Sequence, residues 1–373
     1  LRSPSVTPVP SSSEIPLCVI AGASLRNGGG TGVYTRRLIS GMAEAGREDV
    51  LVALPSGIHT PSEALGARTP GGPARTAFEL SGFGRALRSL HPRCAHLPAF
   101  AGRVPRETPY AVTLHDLAFL ARPGWFPALR SAYYRLHFPG VARRASIVVV
   151  DSDFTAREAV RLLGIPAERL RRIYLSTPVP ETAPEEFRES SGIRGDFLLC
   201  AATIEPRKNI SALLDAWETM RGELADMTLV LAGRWGWGSR RLRSRLCATP
   251  GVLWTGALSR HALWSAMAGA RLLVYPSLYE GFGLPPLEAA AAGTPSVIGP
   301  AEALEEVFGD VAAARCGADA PSISTAIREG LARDEAPESL KEFASRFSSL
   351  AMAQAAVSAY EDCARGRGAV SGS

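Results

Sequence analysis

Lysine is nearly missing from this chain: only Lys208 and Lys341 stand among its 41 basic residues, the rest being arginine. A coding bias toward arginine explains that without any nucleic-acid role, and no basic stripe interleaved with aromatics, as in single-strand binders, accompanies it. No apolar run approaches the roughly 20 residues needed to span a bilayer. The first residues are rich in Ser and Pro and place no basic segment before an apolar one, so no secretory signal is expected there. There is no Cys-x-x-Cys pair. Cys18, Cys94, Cys200, Cys247, Cys316 and Cys363 lie far apart, as reduced thiols of a cytosolic protein would. His91, Cys94 and His96 lack a second ligand pair, so no metal site is expected. No Gly-x-Gly-x-x-Gly stands directly between a strand and a helix, which disfavours a nicotinamide enzyme.

What is present fits an ordinary globular chain. Its 373 residues are 46% hydrophobic and 21% charged, enough to bury a large core and most economically arranged as two domains. The net charge of +5 and a pI near 9.0 suit an acidic substrate or an anionic membrane surface, and equally nothing special. Residues 1–14 and 366–373 read as disordered. Strand signals at Pro16 to Ala23, Val50 to Leu54, Ala111 to Leu114 and Ser146 to Val150 alternate with helical stretches that run to about Ala45, over Phe83 to Leu90 and over Thr155 to Leu163. That alternation predicts a parallel sheet covered on both faces, as an N-terminal domain over 15–177. The Pro/Glu/Ser-rich stretch Ser176 to Asp196, with 178–195 as its centre, reads as a linker. A second alternation over 196–345 follows. It comprises Phe197 to Ala201, the helix Ile210 to Met220, Thr228 to Ala232, the helix Arg240 to Cys247, Val252 to Trp254, Leu263 to Ala268, and Ala270 to Tyr275. One long helix, about Leu340 to Ala364, closes the chain. The fold class is α/β, with two doubly wound domains facing across a cleft.

The most informative segment runs from Tyr275 to Glu288. A buried strand ends at Tyr275, and Leu284 to Ala292 reads as a helix with Pro285 and Pro286 near its start. Between them Gly281 and Gly283 let the main chain approach a ligand, and N–H groups at the helix start offer partial positive charge to phosphate. Glu280 and Glu288 then sit at the mouth of a strand-to-helix crevice, where open α/β sheets bind ligands. Either glutamate alone could simply complement a helix dipole. Earlier, Thr203-Ile204-Glu205-Pro206-Arg207-Lys208-Asn209 follows a strand directly. Arg207 and Lys208 at that strand's carboxyl end suit a diphosphate that gains charge as it leaves, or are two solvated loop cations.

In the first domain, Thr31 in the Gly28 to Gly32 loop can cap the following helix, while Gly30 and Gly32 admit a ligand to its N-terminus or merely turn the chain. His115 ends the strand Ala111 to Leu114, in a structural or a ligand-facing role, and Asp116 can cap a turn. In Asp151-Ser152-Asp153-Phe154-Thr155 the expected role is a helix N-cap supplied by Ser152 or Thr155.

With these residues in hand, the chain resembles a known family. Glu280 to Glu288, two glutamates separated by seven residues around Gly-Phe-Gly-Leu, looks like the signature of retaining GT-B glycosyltransferases (glycosyltransferase family 4, glycosyl transferases group 1), which include bacterial mannosyl-, glucosyl- and rhamnosyltransferases. The Glu-Pro-Arg-Lys-Asn run, the Gly-rich loop and the His115-Asp116 pair are similar to that family's motifs as well. The resemblance covers about Leu17 to Ala364. It implies that Glu288 holds the ribose hydroxyls of a nucleotide-sugar, that Glu280 and His115 contact the transferred sugar, and that main-chain N–H groups of Gly281, Phe282, Gly283 and Leu284 face the sugar and diphosphate. It further implies that Gly30, Thr31 and Gly32 close over the donor, that Gly233 lies near the diphosphate, that Leu258 lies by the nucleobase, and that the last helix crosses back to the N-terminal domain. Where relatives carry a separate arginine four positions before the lysine, an earlier slot here looks like Thr203, so Arg207 would supply the second charge. After Ile173-Tyr174 relatives have an Asn-Gly-Val-Asp turn, whereas this chain has Leu175-Ser176-Thr177-Pro178.

The implied activity is metal-independent, retaining transfer of a hexose from a nucleotide-sugar co-substrate, with no further cofactor, to a hydroxyl of a glycan, lipid or natural product. A nucleotide-sugar epimerase of the same fold and a non-catalytic sugar-nucleotide-binding subunit are the alternatives. Variable loops at Ser56 to Gly84 and Ala121 to Phe138 are candidates for reading the acceptor. The second mixes Arg122, Trp125, Phe126, Arg130, Tyr133, Tyr134 and Arg135, which suits a lipid headgroup or an ordinary helix with an aromatic inner face. The expected location is cytoplasmic, with peripheral contact at the inner membrane face as an option. Oligomeric state is not readable.

Overall fold

A computed structural model describes residues 15–25, 29–67, 72–99, 103–178, 183–333 and 336–366. The calls of disorder at 1–14 and beyond 366, and Gly28 of the glycine loop, fall outside these residues. Two compact units emerge, the first of Leu1–Leu117, Tyr133–Ser176 and Phe347–Ser373, the second of Ala118–Ala132 and Thr177–Arg346.

The first unit holds strands β1 (Cys18–Ala21), β2 (Val50–Leu54), β3 (Gly57–His59), β4 (Cys94–Leu97), β5 (Tyr110–Leu114), β6 (Ile147–Val150) and β7 (Leu170–Arg172) in the order β3-β2-β1-β4-β5-β6-β7. All neighbours are parallel except the β2–β3 hairpin. The central strands are buried along their whole length, because helices cover both sheet faces and leave no side for polar residues. The second unit holds β8 (Phe197–Ala201), β9 (Thr228–Ala232), β10 (Val252–Gly256), β11 (Leu272–Tyr275), β12 (Ser296–Ile298) and β13 (Ala314–Arg315), all parallel, in the order β10-β9-β8-β11-β12-β13. Each sheet reverses its direction of growth once, between β1 and β4 in the first and between β8 and β11 in the second. Such a reversal leaves a crevice outside the carboxyl ends of the two strands.

Several expectations need correction. The first strand is shorter than Pro16 to Ala23: it gives way at Gly22 to a 3-10 turn, Gly22–Ser24. The stretch read as linker contains a helix, Pro184–Ser191. Pro184 starts it, Glu185 and Glu186 occupy its first turn, and Gly192 ends it in the left-handed region at φ 73°. Its Phe187 is buried against Phe197 at 5.6 Å. The closing helix is two helices, Pro337–Ser345 and Ser349–Arg365, because Ser348 caps the second by accepting from Ala351 N at 3.1 Å. Ala118–Ala132, assigned by sequence to the first domain, belongs to the second unit, where Trp237 donates its indole N–H to the Trp125 carbonyl at 2.6 Å. Helix Ser349–Arg365 packs on helix Gly30–Glu44 within the first unit, closely enough that a Cβ on Gly41 would lie 1.9 Å from the Ser349 carbonyl oxygen.

Candidate functional site

In the second unit the loops after β8, β9, β10 and β11 all leave the carboxyl edge of one parallel sheet. They bring there Arg207 and Lys208, Gly233, Leu258, and Glu280 respectively. The loop after β8 is shaped by a 3-10 turn, Pro206–Lys208, and by Asn209, whose left-handed backbone (φ 57°) redirects the chain into helix Ile210–Met220. Asn209 also donates its side-chain N–H to the Ala318 carbonyl at 2.8 Å. That turn points Lys208 inward, across the reversal point, at the loop after β11.

There Lys208 Nζ donates to Glu280 Oε1 and, at 2.6 Å, to the Tyr275 hydroxyl. Ser277 Oγ donates to the same Glu280 oxygen at 2.6 Å, and the Tyr275 hydroxyl donates to it at 3.0 Å. Arg207 Nη1 reaches Glu280 Oε2 at 3.2 Å, while its Nε donates to Glu205. Burial alone would raise the Glu280 carboxyl. Lys208, Arg207 and the hydrogen bonds from Lys208 and Ser277 outweigh it and hold the group down at about 2. Lys208 is lowered by burial and by the neighbouring Arg207 charge, with Glu280 pulling the other way. The two cations are therefore not bare: they are balanced by Glu280 and Glu205.

Glu288 is buried in helix Leu284–Ala292, where Arg260 Nη2 donates to its Oε1 at 2.9 Å. Arg260 also stacks over Trp264 at 5.0 Å. Sequence reasoning missed Arg260. The available signal was a cation at the first position of helix Arg260–Gly269, where the helix dipole disfavours one. Gly283 precedes Leu284 as the N-cap, at φ 108°, and a Cβ there would strike Leu304 at 2.4 Å. Pro285 and Pro286 have no N–H, so of the four donors a helix start leaves free, those of Gly283 and Leu284 remain. The Phe282 side chain is buried against Phe308 at 5.9 Å, so only its main chain can serve a ligand. Gly233 has a structural reason: a Cβ would lie 1.8 Å from the Ala202 carbonyl oxygen. Its N–H donates to the Gly256 carbonyl at 2.8 Å, and its carbonyl accepts from Trp254 Nε1 at 2.8 Å. Leu258 is half-buried between β10 and helix Arg260–Gly269.

In the first unit, Gly30, Thr31 and Gly32 form the first turn of helix Gly30–Glu44, whose N-cap is Gly29. Thr31 is thus inside the helix and not its cap, and its carbonyl accepts from Thr35 Oγ1 at 2.8 Å. His115, just past β5, donates from Nδ1 to Asp151 Oδ2 at 2.7 Å and from Nε2 to the Pro98 carbonyl at 3.0 Å. Both ring nitrogens face acceptors, a setting that suits the doubly protonated ring. Burial opposes that charge, but Asp151 outweighs it and raises the His115 pKa. Asp151, read from sequence only as part of a capping turn, is the partner that fixes His115. Ser152 is the cap, accepting from Thr155 N at 3.1 Å. His96, by contrast, is neutral: burial pushes it down to about 3, and it sits between Thr113 Oγ1 at 2.8 Å and the Tyr360 hydroxyl at 2.7 Å.

Residues 184–347 match the model described as "Glycosyl transferases group 1", and residues 28–177 match "Glycosyltransferase Family 4". The chain is 31% identical over 290 residues to O-antigen chain mannosyltransferase B of Escherichia coli, covering 74% of each chain. It is also 31% identical over 170 residues to the MMP alpha-(1->4)-mannosyltransferase of Mycolicibacterium hassiacum, covering 45% of this chain and 40% of that one. Among solved structures, Anabaena HepE in complex with UDP and glucose superposes with a TM-score of 0.66 at 17% identity, over 92% of this chain and 99% of that one. WaaG, involved in lipopolysaccharide biosynthesis, gives 0.62 at 15% identity, over 95% and 100%.

Proposed function

The chain belongs to the group 1 and family 4 glycosyltransferases of GT-B fold, and from that premise we propose that it transfers a hexose, mannose first among them, from a nucleotide-sugar to an acceptor hydroxyl with retention at the anomeric carbon. The choice of mannose follows the names of the curated relatives. The observation that carries the reading is the meeting of Lys208 and Arg207 with the ionised, buried Glu280 at the reversal point of the second sheet.

In this scheme the donor diphosphate takes Arg207 from Glu205 and lies against Lys208 and the N–H groups of Gly283 and Leu284. Glu288 accepts from the ribose hydroxyls, and Glu280 orients the sugar. The acceptor oxygen approaches the anomeric carbon from the face that the phosphate leaves. The carbon–phosphate-oxygen bond breaks with its electron pair on the phosphate, the new glycosidic bond forms, and the acceptor proton passes to the β-phosphate oxygen. No protein base is required, and the two fixed cations supply the charge stabilisation for which a metal would otherwise serve. His115 enters the proposal as a donor to a sugar hydroxyl, Nε2 exchanging the Pro98 carbonyl for it. The acceptor belongs to the same broad class of glycan, lipid or natural-product hydroxyls.

The test is a thermal-shift and turnover screen with UDP-, GDP-, ADP- and dTDP-hexoses, with anomeric configuration read by NMR. Stabilisation by one donor with slow hydrolysis, both lost in Glu288→Ala and Lys208→Ala, supports the proposal. No stabilisation by any donor sinks it, and an inverted product sinks the retaining step.

A further inference from the structure

We propose that Glu205 takes up a proton from solution as the donor's diphosphate enters its site in the second unit. The inference rests on the donor site proposed above and concerns how that site balances charge. Lys208 and Arg207 meet Glu280, Arg207 Nε also donates to Glu205, and Arg260 meets Glu288, so three cations stand against three carboxylates and the charges cancel. Glu205, Glu280 and Glu288 are exposed at only 5%, 6% and 3%. At that burial, water does little to offset an imbalance among them.

A nucleotide-sugar brings two ionised phosphates into this neutral cluster. The start of helix Leu284–Ala292 answers with roughly half an elementary charge, which leaves about one and a half negative units unmatched. Arg234, Arg240, Arg241 and Arg243, which follow β9, are exposed, and solvent screens them. A buried surplus of this kind is removed by binding a proton or by a cation from solution.

Which carboxylate takes the proton follows from its partners. Glu280 accepts from Lys208, Arg207, Tyr275 and Ser277, and the two cations keep it ionised. Glu288 keeps Arg260 at 2.9 Å, and the reading assigns that pair to the ribose and not to the diphosphate. Glu205 depends on Arg207, the cation that the diphosphate engages. Its charge is also felt by Lys208, but Lys208 is committed to Glu280. On the side of the loop after β9 it is Gly236 that lies against Glu205, where an added Cβ would stand 3.7 Å from the Glu205 Cβ. Parted from Arg207, the Glu205 carboxylate binds a proton from solvent at one oxygen. The resulting acid donates a hydrogen bond to phosphate, which the carboxylate would repel.

Calorimetric titration of the full chain with the UDP-, GDP-, ADP- and dTDP-hexoses of the donor screen tests this at pH 7 in PIPES, imidazole and Tris, whose heats of ionisation differ. Nucleotide-sugars carry no group that titrates near that pH, so heat that varies with buffer reports protons taken up by the protein. Between about half and one proton per donor is expected, with affinity tightening about three- to tenfold for each pH unit lost from 8 to 6. In Glu205→Gln both the uptake and the pH dependence should vanish, and at pH 8 the donor should bind about tenfold more tightly than to wild type. A melting temperature near that of wild type establishes that the variant is folded, and the wild-type titration can overturn the proposal without it. Donor binding with no proton uptake does so, as does binding that requires Mg²⁺ in place of the proton. Uptake that persists in Glu205→Gln also overturns it, assigning the proton to Lys208 or His115. If none of the four donors binds, the donor site itself falls and this inference with it.

Discussion

Replacing Lys208 by methionine keeps most of the side chain's apolar stem and removes its ammonium group, which leaves Glu280 buried with a weaker set of partners. Removing one member of a buried ion pair typically costs about 3–5 kcal/mol, mostly as the penalty of the charge left behind. Arg207, Ser277 and the Tyr275 hydroxyl still serve Glu280 in the variant, so the low end, about 3 kcal/mol, is expected. For a unit of this size that lowers the melting temperature by roughly 6–12 °C. All six tryptophans, Trp125, Trp217, Trp235, Trp237, Trp254 and Trp264, lie in the second unit, so tryptophan fluorescence in urea reads the affected unit by itself. If Lys208 also stabilises the leaving diphosphate, kcat falls about 10²–10³-fold. The double variant Lys208→Met/Glu280→Gln separates the two effects: with no buried carboxylate left short of partners, most of the stability returns, but turnover does not. Glu280 also sets an acid limit. Its folded pKa of about 2 lies below its ordinary 4.5, so its stabilisation is complete above 4.5 and lost as pH falls through about 2, a dependence that Glu280→Gln removes. A Lys208→Met protein within about 0.5 kcal/mol of wild type would refute the electrostatic reasoning. Turnover restored in the double variant would refute a direct role for Lys208 in the reaction.

Three further outcomes are expected. Asp151→Asn removes the charge that raises the His115 pKa against burial, and the imidazole pKa, followed by NMR, should drop below the ordinary 6.5. In wild type the raised pKa gives stability that is complete below 6.5 and lost as pH rises through the folded value; the variant should lack that slope. Gly233→Ala places a Cβ against the main chain of Ala202 and Thr203 and should destabilise the second unit by about 3 kcal/mol in urea, the upper end of the usual overpacking cost, since the atoms met are backbone and not a flexible side chain. Arg260→Ala deprives the buried Glu288 of a charged hydrogen bond. Nucleotide-sugar affinity by calorimetry should weaken about tenfold, and preference for ribo- over deoxyribonucleotide should shrink with it.

The order of strands and helices was legible in the sequence because a strand buried on both faces must be an unbroken apolar run, and because Gly, Pro and Ser punctuate the chain locally. The helix at Pro184–Ser191 carried the same local signals, proline at its start and glycine at its end, but its low apolar content read as linker. The split at Ser348 was hidden by an apolar face that continues through it. The candidate site divides in the same way. Glu280, Arg207 and Lys208 stood out by residue type and position just after strands, and Glu288 by its place in the helix that follows the glycine turn. Their partners did not: Lys208 and Glu280 are 72 residues apart, His115 and Asp151 are 36, and Arg260 and Glu288 are 28. Sequence by itself determined which groups stand at strand ends, since that depends on local pattern. Only the tertiary structure decided which charge neutralises which, and that Glu205, Glu280 and Glu288 are buried where they meet their cations. Ion pairing depends on which strands the sheet makes neighbours, and burial on which side chains the fold has covered.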